Sequence, residues 1–161
     1  MRVTRYTDYS LRVLIYLALR ESDRSTIRQI SDAYGISKNH LMKVAQQLAA
    51  LGYVESVRGV GGGLNLARPA DQIKVGELVR QMEPDLALVE CMRSGNQCVI
   101  TPACKLRTML GRARESFLDT LDEYSLADIL DSQSAEQIAV LLKLDPIEIR
   151  FAAFADEQVG S

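Results

Sequence analysis

The sequence predicts a mainly α-helical chain carrying one small β-hairpin, and three observations predict it. In the first fifty residues, apolar side chains recur at three- and four-residue steps in three separate runs. Only residues 53–57 and 64–66 alternate as strands do, and a glycine-rich tip separates them. Further on, Leu106, Met109, Leu110, Ala113, Phe117 and Leu121 form one apolar stripe about five turns long.

The elements follow in order. Thr7 or Asp8 caps a first helix running to about Arg20, with Leu11, Leu14, Ile15 and Ala18 as its stripe and Arg12 and Arg20 off it. A polar turn over residues 21–25 leads into a short helix, 26–33, with Ile27, Ile30 and Ala33 on one side. Gly35 then takes positive φ, Ile36 plugs the angle, and Ser37 caps the next helix. That helix, Lys38 to about Ala50, turns Leu41, Val44, Ala45 and Leu48 inward and leaves Lys38, Asn39, His40, Lys43 and Gln47 outward.

Two short helices joined by a glycine-containing turn, the second rich in Lys, Asn and His at its start, form a helix-turn-helix pattern. The outward set suits DNA. Asn39 can pair with an adenine edge, Lys38 or His40 can reach a guanine, and Ser37 can bond a phosphate. His40, the single histidine, has no cysteine near it in sequence, so a DNA contact suits it better than a metal. The hairpin tip, residues 58–63, brings Arg58 and the backbone of Gly61 and Gly62 to one place. A glycine-rich loop can also cradle a nucleotide phosphate, but this one lacks the Gly-Lys-Ser/Thr ending and joins two strands. It is better placed as the wing of a winged helix-turn-helix.

Charge agrees with this division. Residues 1–80 carry twelve Lys and Arg against seven Asp and Glu, while residues 81–161 carry seven against fourteen, giving +5 and −7. A basic half on an acidic remainder suits a DNA-binding module with a dimerisation or sensor part. At 161 residues and 47% hydrophobic, the chain can build one domain, or a small domain with an appendage. No run is long and apolar enough to suggest a membrane span, and the polar, Arg-bearing N-terminal segment does not look like a signal peptide, so a cytoplasmic location is expected. No Ser–His–Asp set or paired carboxylates point to an enzyme.

Beyond the wing, a turn at residues 68–71 and a helical piece from Val75 to Met82 lead through Glu83-Pro84 to all three cysteines, Cys91, Cys98 and Cys104, gathered within fourteen residues. Ser94, Gly95 and Asn96 can reverse the chain in the first gap. Thr101 and Pro102 are expected to start the long helix, placing Cys104 in its first turn, where the helix dipole favours thiolate. An odd number excludes a complete disulfide framework. Thiolates so grouped suit an iron–sulfur cluster; zinc or a thiol redox switch remain open, although the short paired spacings of structural zinc are absent. The long stripe suits a dimer seam or packing within the subunit, and a two-fold operator needs a dimer. A turn at 127–130 and a helix at 138–144 are expected next, then a frayed tail at 152–161.

Taken together, residues 4–12, the Tyr-Gly-Ile-Ser-Lys-Asn-His run at 34–40, Gly52-Tyr-Val54, the wing at 58–64 and the loop ending Ile-Thr-Pro-Ala-Cys-Lys-Leu at 100–106 resemble the NsrR group of nitric-oxide-sensing repressors. That group lies within the winged-helix iron–sulfur regulators, which also contain the IscR group. The resemblance runs from residue 1 to about residue 130. It implies a homodimeric repressor in which Cys91, Cys98 and Cys104 hold a [4Fe–4S] or [2Fe–2S] cluster. Asp8 of the other subunit would complete the ligation, and nitric oxide would lower operator affinity and derepress detoxification genes. Glu83 matches a weaker acidic position, where it could pair with Arg12 or Arg5. IscR-type proteins carry a histidine three residues after the third cysteine; Arg107 stands there instead. The implied division is 1–82 for DNA binding, 83–104 for the cluster loop, 105–131 for dimerisation and 132–161 as a C-terminal extension.

Overall fold

A computed structural model of the chain describes residues 3–20, 23–59 and 61–144; the expected tail at 152–161 lies outside them. Helix α1 (Arg5–Ala18) begins earlier than its own sequence suggests. Its N-cap is Thr4, whose Oγ accepts from the Thr7 N–H at 3.3 Å, not Thr7 or Asp8. The reason is tertiary, because the Thr4 N–H donates to Glu83 Oε1 at 2.8 Å and the helix start is anchored there. Thr7 is fully buried as a result.

Helix α2 (Ile27–Tyr34) starts with a reciprocal capping box. Thr26 Oγ accepts from Gln29 N–H at 3.2 Å, and Gln29 Oε1 accepts from Thr26 N–H at 2.7 Å. Gly35 ends it at φ 64°, and Ser31 Oγ closes the turn by donating to Ile36 O at 2.6 Å. Helix α3 (Lys38–Ala50) buries Leu41, Val44, Ala45 and Leu48, as its periodicity requires. Ser37 occupies its N-cap position but makes no side-chain cap bond, so the expected cap is not formed.

Strands β1 (Val54–Val57) and β2 (Gly63–Leu66) pair antiparallel, with Val54 opposite Leu66 and Val57 opposite Gly63. Ser25, expected in a plain polar turn, bridges to Leu64 as a third edge: its N–H donates to Leu64 O at 2.9 Å and its O accepts from Leu64 N–H at 2.8 Å. A Cβ on Gly63 would lie 3.0 Å from that Ser25 oxygen, so only glycine fits without displacement. One core unites these pieces, with Leu14 and Leu17 of α1, Ile30 of α2, Val44 of α3, Tyr53 and Leu64 all nearly or fully buried.

Helix α4 (Val75–Met82) packs on α5 (Leu106–Asp122) through Val75, Val79 and Leu118. Gly76 allows the close approach, since a Cβ there would run into Asp122. Arg80 Nη1 donates to Asp122 Oδ1 at 2.6 Å across the same joint. The expected stripe of α5 divides. Phe117 and Leu121 pack inside the subunit, whereas Leu106 and Met109 are 52% and 65% exposed. Short α6 (Leu126–Ile129), capped by Ser125 and Asp128, and α7 (Ser132–Leu141), capped by Asp131, follow. Helix α7 begins six residues before the expected helix at 138–144 and ends before Leu144. Among the described residues no helix is long and apolar enough to cross a membrane.

The Arg80 hydrogen bond holds the Asp122 carboxyl below the usual carboxylate range. Its contribution to stability is therefore present above the ordinary Asp range and lost as pH falls through the lowered value. Asp122→Asn should unfold at lower urea than the parent at about pH 7, and the gap should close in acid at about pH 3 or below. A gap equal at both pH values would count against this pairing.

Candidate nucleic-acid interface and cysteine loop

Helix α3 presents Lys38, Asn39, His40 and Lys43 to solvent, with Ser37 exposed at its head. These side chains are free to meet DNA because the opposite face fills the core. Helix α1 braces the helix from behind. Tyr6 Oη donates to Lys43 O at 2.8 Å, and the Tyr9 ring lies 6.3 Å from the His40 ring. At the wing, Gly59 and Gly61 take φ of 102° and 75°, and Gly62 N–H donates to Gly59 O at 2.9 Å. That bond engages the Gly62 amide and closes the turn. Arg58 remains exposed at the tip. Arg24, hidden within a polar turn in the sequence, is exposed beside the wing and reaches Gly61 O at 3.5 Å. Sequence reasoning missed this cation, because only the Ser25–Leu64 bridge brings it there.

Asp8 sits in the first turn of α1 and is held by Arg12, with Nη2 to Oδ2 at 2.9 Å and Nε donating to Oδ1 at 3.1 Å. The Arg12 guanidinium also lies about 6 Å from the ring centres of Tyr9 (6.0 Å) and Tyr34 (5.9 Å). Burial pushes the Tyr34 hydroxyl up to about 12 despite Arg12 beside it, so the ring stays neutral beneath the cation. Asp8 is thus one side chain, Arg12, removed from Tyr34 at the helix-turn-helix and from Tyr9, which borders His40.

The three thiols are free and half-buried. Cys91 lies in a single 3-10 turn, Glu90–Met92, and Gly95 at φ 76° makes the reversal expected there. Carboxylates fasten the loop. Asp85 accepts from Ala87 N–H at 2.7 Å and from Arg93 Nε at 2.6 Å, which together hold its carboxyl below the usual range. Glu90 Oε1 accepts from Gln97 N–H at 2.9 Å. The expected helix start at Thr101 is not formed. Thr101 Oγ donates instead to Asn96 Oδ1 at 2.9 Å, and α5 begins only at Leu106, with Lys105 at its N-cap. Cys104 therefore precedes the helix and is not in its first turn. Nor does Glu83 pair with Arg12 or Arg5; its Oε1 accepts from Thr4.

The donor set fits an iron–sulfur group in its chemistry: three unbridged thiols on one fastened loop. Among the described residues, no three or more His, Cys, Asp or Glu side chains within the chain are gathered to hold a metal. The nearby acids Asp85 and Glu90 are engaged with the loop itself, and Asp8 with Arg12.

Comparison with known proteins bears on both features. The chain is 49% identical over 146 residues to the HTH-type transcriptional regulator NsrR of Bacillus subtilis, covering 89% of this chain and 99% of that protein. It is 48% identical over 135 residues to the protein of the same name in Bacillus licheniformis, covering 83% and 94%. Among solved structures, T. potens IscR superposes with a TM-score of 0.68 at 25% identity, over 85% of this chain and 91% of that one. Residues 3–132, which hold both the helix-turn-helix and every cysteine, match the family described as "Rrf2: Iron-dependent Transcriptional regulator", and the chain belongs to that family.

Proposed function

We propose that the protein is a nitric-oxide-responsive repressor that binds operator DNA as a homodimer and carries an iron–sulfur cluster on Cys91, Cys98 and Cys104. The observation that carries this reading is the near-half identity to regulators named NsrR, joined to three free thiols on one fastened loop. In this reading residues 1–82 read DNA, 83–104 hold the cluster, 105–131 dimerise and 132–161 form an extension. The exposed Leu106 and Met109 of α5 supply apolar surface for the seam. Ser37, Lys38, Asn39, His40 and Lys43 face the major groove, while Arg58, Arg24 and the wing backbone at Gly61 and Gly62 meet the DNA backbone.

When bound, the cluster supplies iron sites at which nitric oxide reacts. Asp8 of the partner subunit is the proposed fourth ligand, an oxygen donor weaker than thiolate. Its two oxygens are the ones Arg12 holds within a single chain. Asp8 therefore has two alternative partners, and Arg12 answers to the choice. With Asp8 engaged elsewhere, Arg12 keeps only its ring contacts to Tyr9 and Tyr34, and Tyr9 borders His40. A shift of about 1–2 Å in α1 would carry into α3 and the spacing of the two half-sites.

The deciding experiment is purification without oxygen, with iron, inorganic sulfide and the visible spectrum recorded before and after nitric oxide. Iron, sulfide and broad visible bands that collapse with the gas, together with operator release, are expected. A colourless protein containing zinc, or one lacking sulfide, would instead favour a zinc or thiol regulator. An IscR-type reading would show operator binding that follows cluster supply and is indifferent to nitric oxide. Asp8→Ala should retain iron while reducing the difference in operator affinity between loaded and iron-free protein by about fivefold or more. An undiminished difference would remove Asp8 from the mechanism.

A further inference from the structure

The capping boxes of this protein are not alike. In α2 and α6 the reciprocal acceptor for the N-cap N–H comes from the third helical residue, Gln29 and Asp128. In α1 that third residue is Thr7, and the acceptor comes from Glu83, seventy-nine positions away: Oε1 takes the Thr4 N–H at 2.8 Å and the Thr4 hydroxyl at 3.1 Å. The carboxylate also lies at the positive end of the α1 dipole. A local cap has been replaced by a long-range tie.

Where Glu83 stands matters as much as what it holds. It is the residue at which α4 ends, its N–H donating to Val79 O at 3.0 Å, and at which the run to the cysteines begins. Two residues on, Asp85 is locked to Ala87 N–H and to Arg93, so the segment from 83 to 93 is a hydrogen-bonded strap with Cys91 inside it. Beneath it lies an open pocket of about 210 Å³, walled by Val3, Val79, Leu86, Leu88 and Phe117 as well as Glu83. Leu86 of the strap packs against Val75, Val79 and Leu118 on one side, and the pocket leaves the rest of the strap room to move. At the other end of the tie, α1 touches the DNA-facing helix through Tyr6–Lys43 and Tyr9–His40.

We propose that Glu83 is a positioning residue that transmits the state of the cysteine loop to α1 of the same subunit, alongside the path through Asp8 of the other subunit. This rests on the reading of the loop as a cluster site. Glu83 is not a ligand in this scheme. It acts on α3 through Thr4 and α1, and its neutral amide analogue, which keeps an acceptor oxygen, retains most of the effect.

The test uses the full chain with Glu83→Ala and Glu83→Gln. In iron-free protein, Glu83→Ala should speed amide hydrogen exchange at Thr4 and through the first turn of α1 by roughly tenfold, as expected for losing one charge-assisted hydrogen bond. It should also lower the ratio of operator affinities between iron-loaded and iron-free protein by about fivefold or more. Iron content should stay at the parental level, and Glu83→Gln should recover most of both effects. Unchanged exchange would mean the tie does not exist in solution. Faster exchange with an unaltered ratio would reduce Glu83 to a plain cap and overturn the proposal alone. Iron lost in both variants would make Glu83 a ligand and overturn it too. If the parent itself binds no iron, the proposal falls together with the cluster reading, and the parental iron assay identifies that case.

Discussion

Cys91→Ala, purified without oxygen, is expected to contain neither iron nor inorganic sulfide, and its operator binding should no longer respond to nitric oxide. The loop carries three thiols, and its acids Asp85 and Glu90 accept the hydrogen bonds that fasten it. Removing one of three sulfur donors leaves two, and an oxygen ligand from another subunit cannot make up for the loss of a thiolate. The substitution should spare the fold. Cys91 is half-buried in a single 3-10 turn and belongs to neither apolar cluster, so the melting temperature should stay within a few degrees of that of the iron-free parent. Iron at the parental level in this variant would dismiss Cys91 as a ligand.

Asn39→Ala should produce the second large effect, on DNA and not on the cluster. A good side-chain contact to a base edge contributes about 1–3 kcal/mol of discrimination. The proposed dimer carries two copies of the change, so operator affinity should fall by roughly thirtyfold or more at fixed salt. Asn39 is exposed on α3 and makes no core contact, so folding and the visible spectrum should be unaltered. Lys38→Ala should weaken the operator in the same way. Arg58→Ala provides the contrast: a phosphate contact at the wing should weaken all sequences alike and flatten the salt dependence. Wild-type operator affinity in Asn39→Ala, measured by titration under matched salt, would place the major-groove contacts elsewhere.

Much of this site is legible in the order of the residues. The inward set Leu41, Val44, Ala45 and Leu48 follows from helical period alone, and that period leaves Lys38, Asn39 and His40 outside. Gly35 at φ 64° is a local demand that a glycine meets. Other features are not legible there. Ser25 reads as a turn residue, yet it extends the sheet because Leu64 lies beside it. Thr101-Pro102 has the chemistry of a helix start, but Asn96 claims the hydroxyl and α5 waits until Leu106. The buried anchor of α5, Leu118, falls outside the stripe that its spacing suggests; α4 decides which face is covered.

By itself the sequence determined the helix-turn-helix, the wing and the grouping of the three cysteines, since these depend on residue type and on repeats within a few positions. Tertiary structure alone decided where α1 begins, that Arg12 holds Asp8 while lying near Tyr9 and Tyr34, and that Glu83, at the end of α4, ties the start of the cysteine-bearing run to α1. The physical reason is range. Helical periodicity is set by neighbours three or four residues apart, whereas the Thr4–Glu83 tie depends on a carboxylate seventy-nine positions away that only folding brings within hydrogen-bond distance.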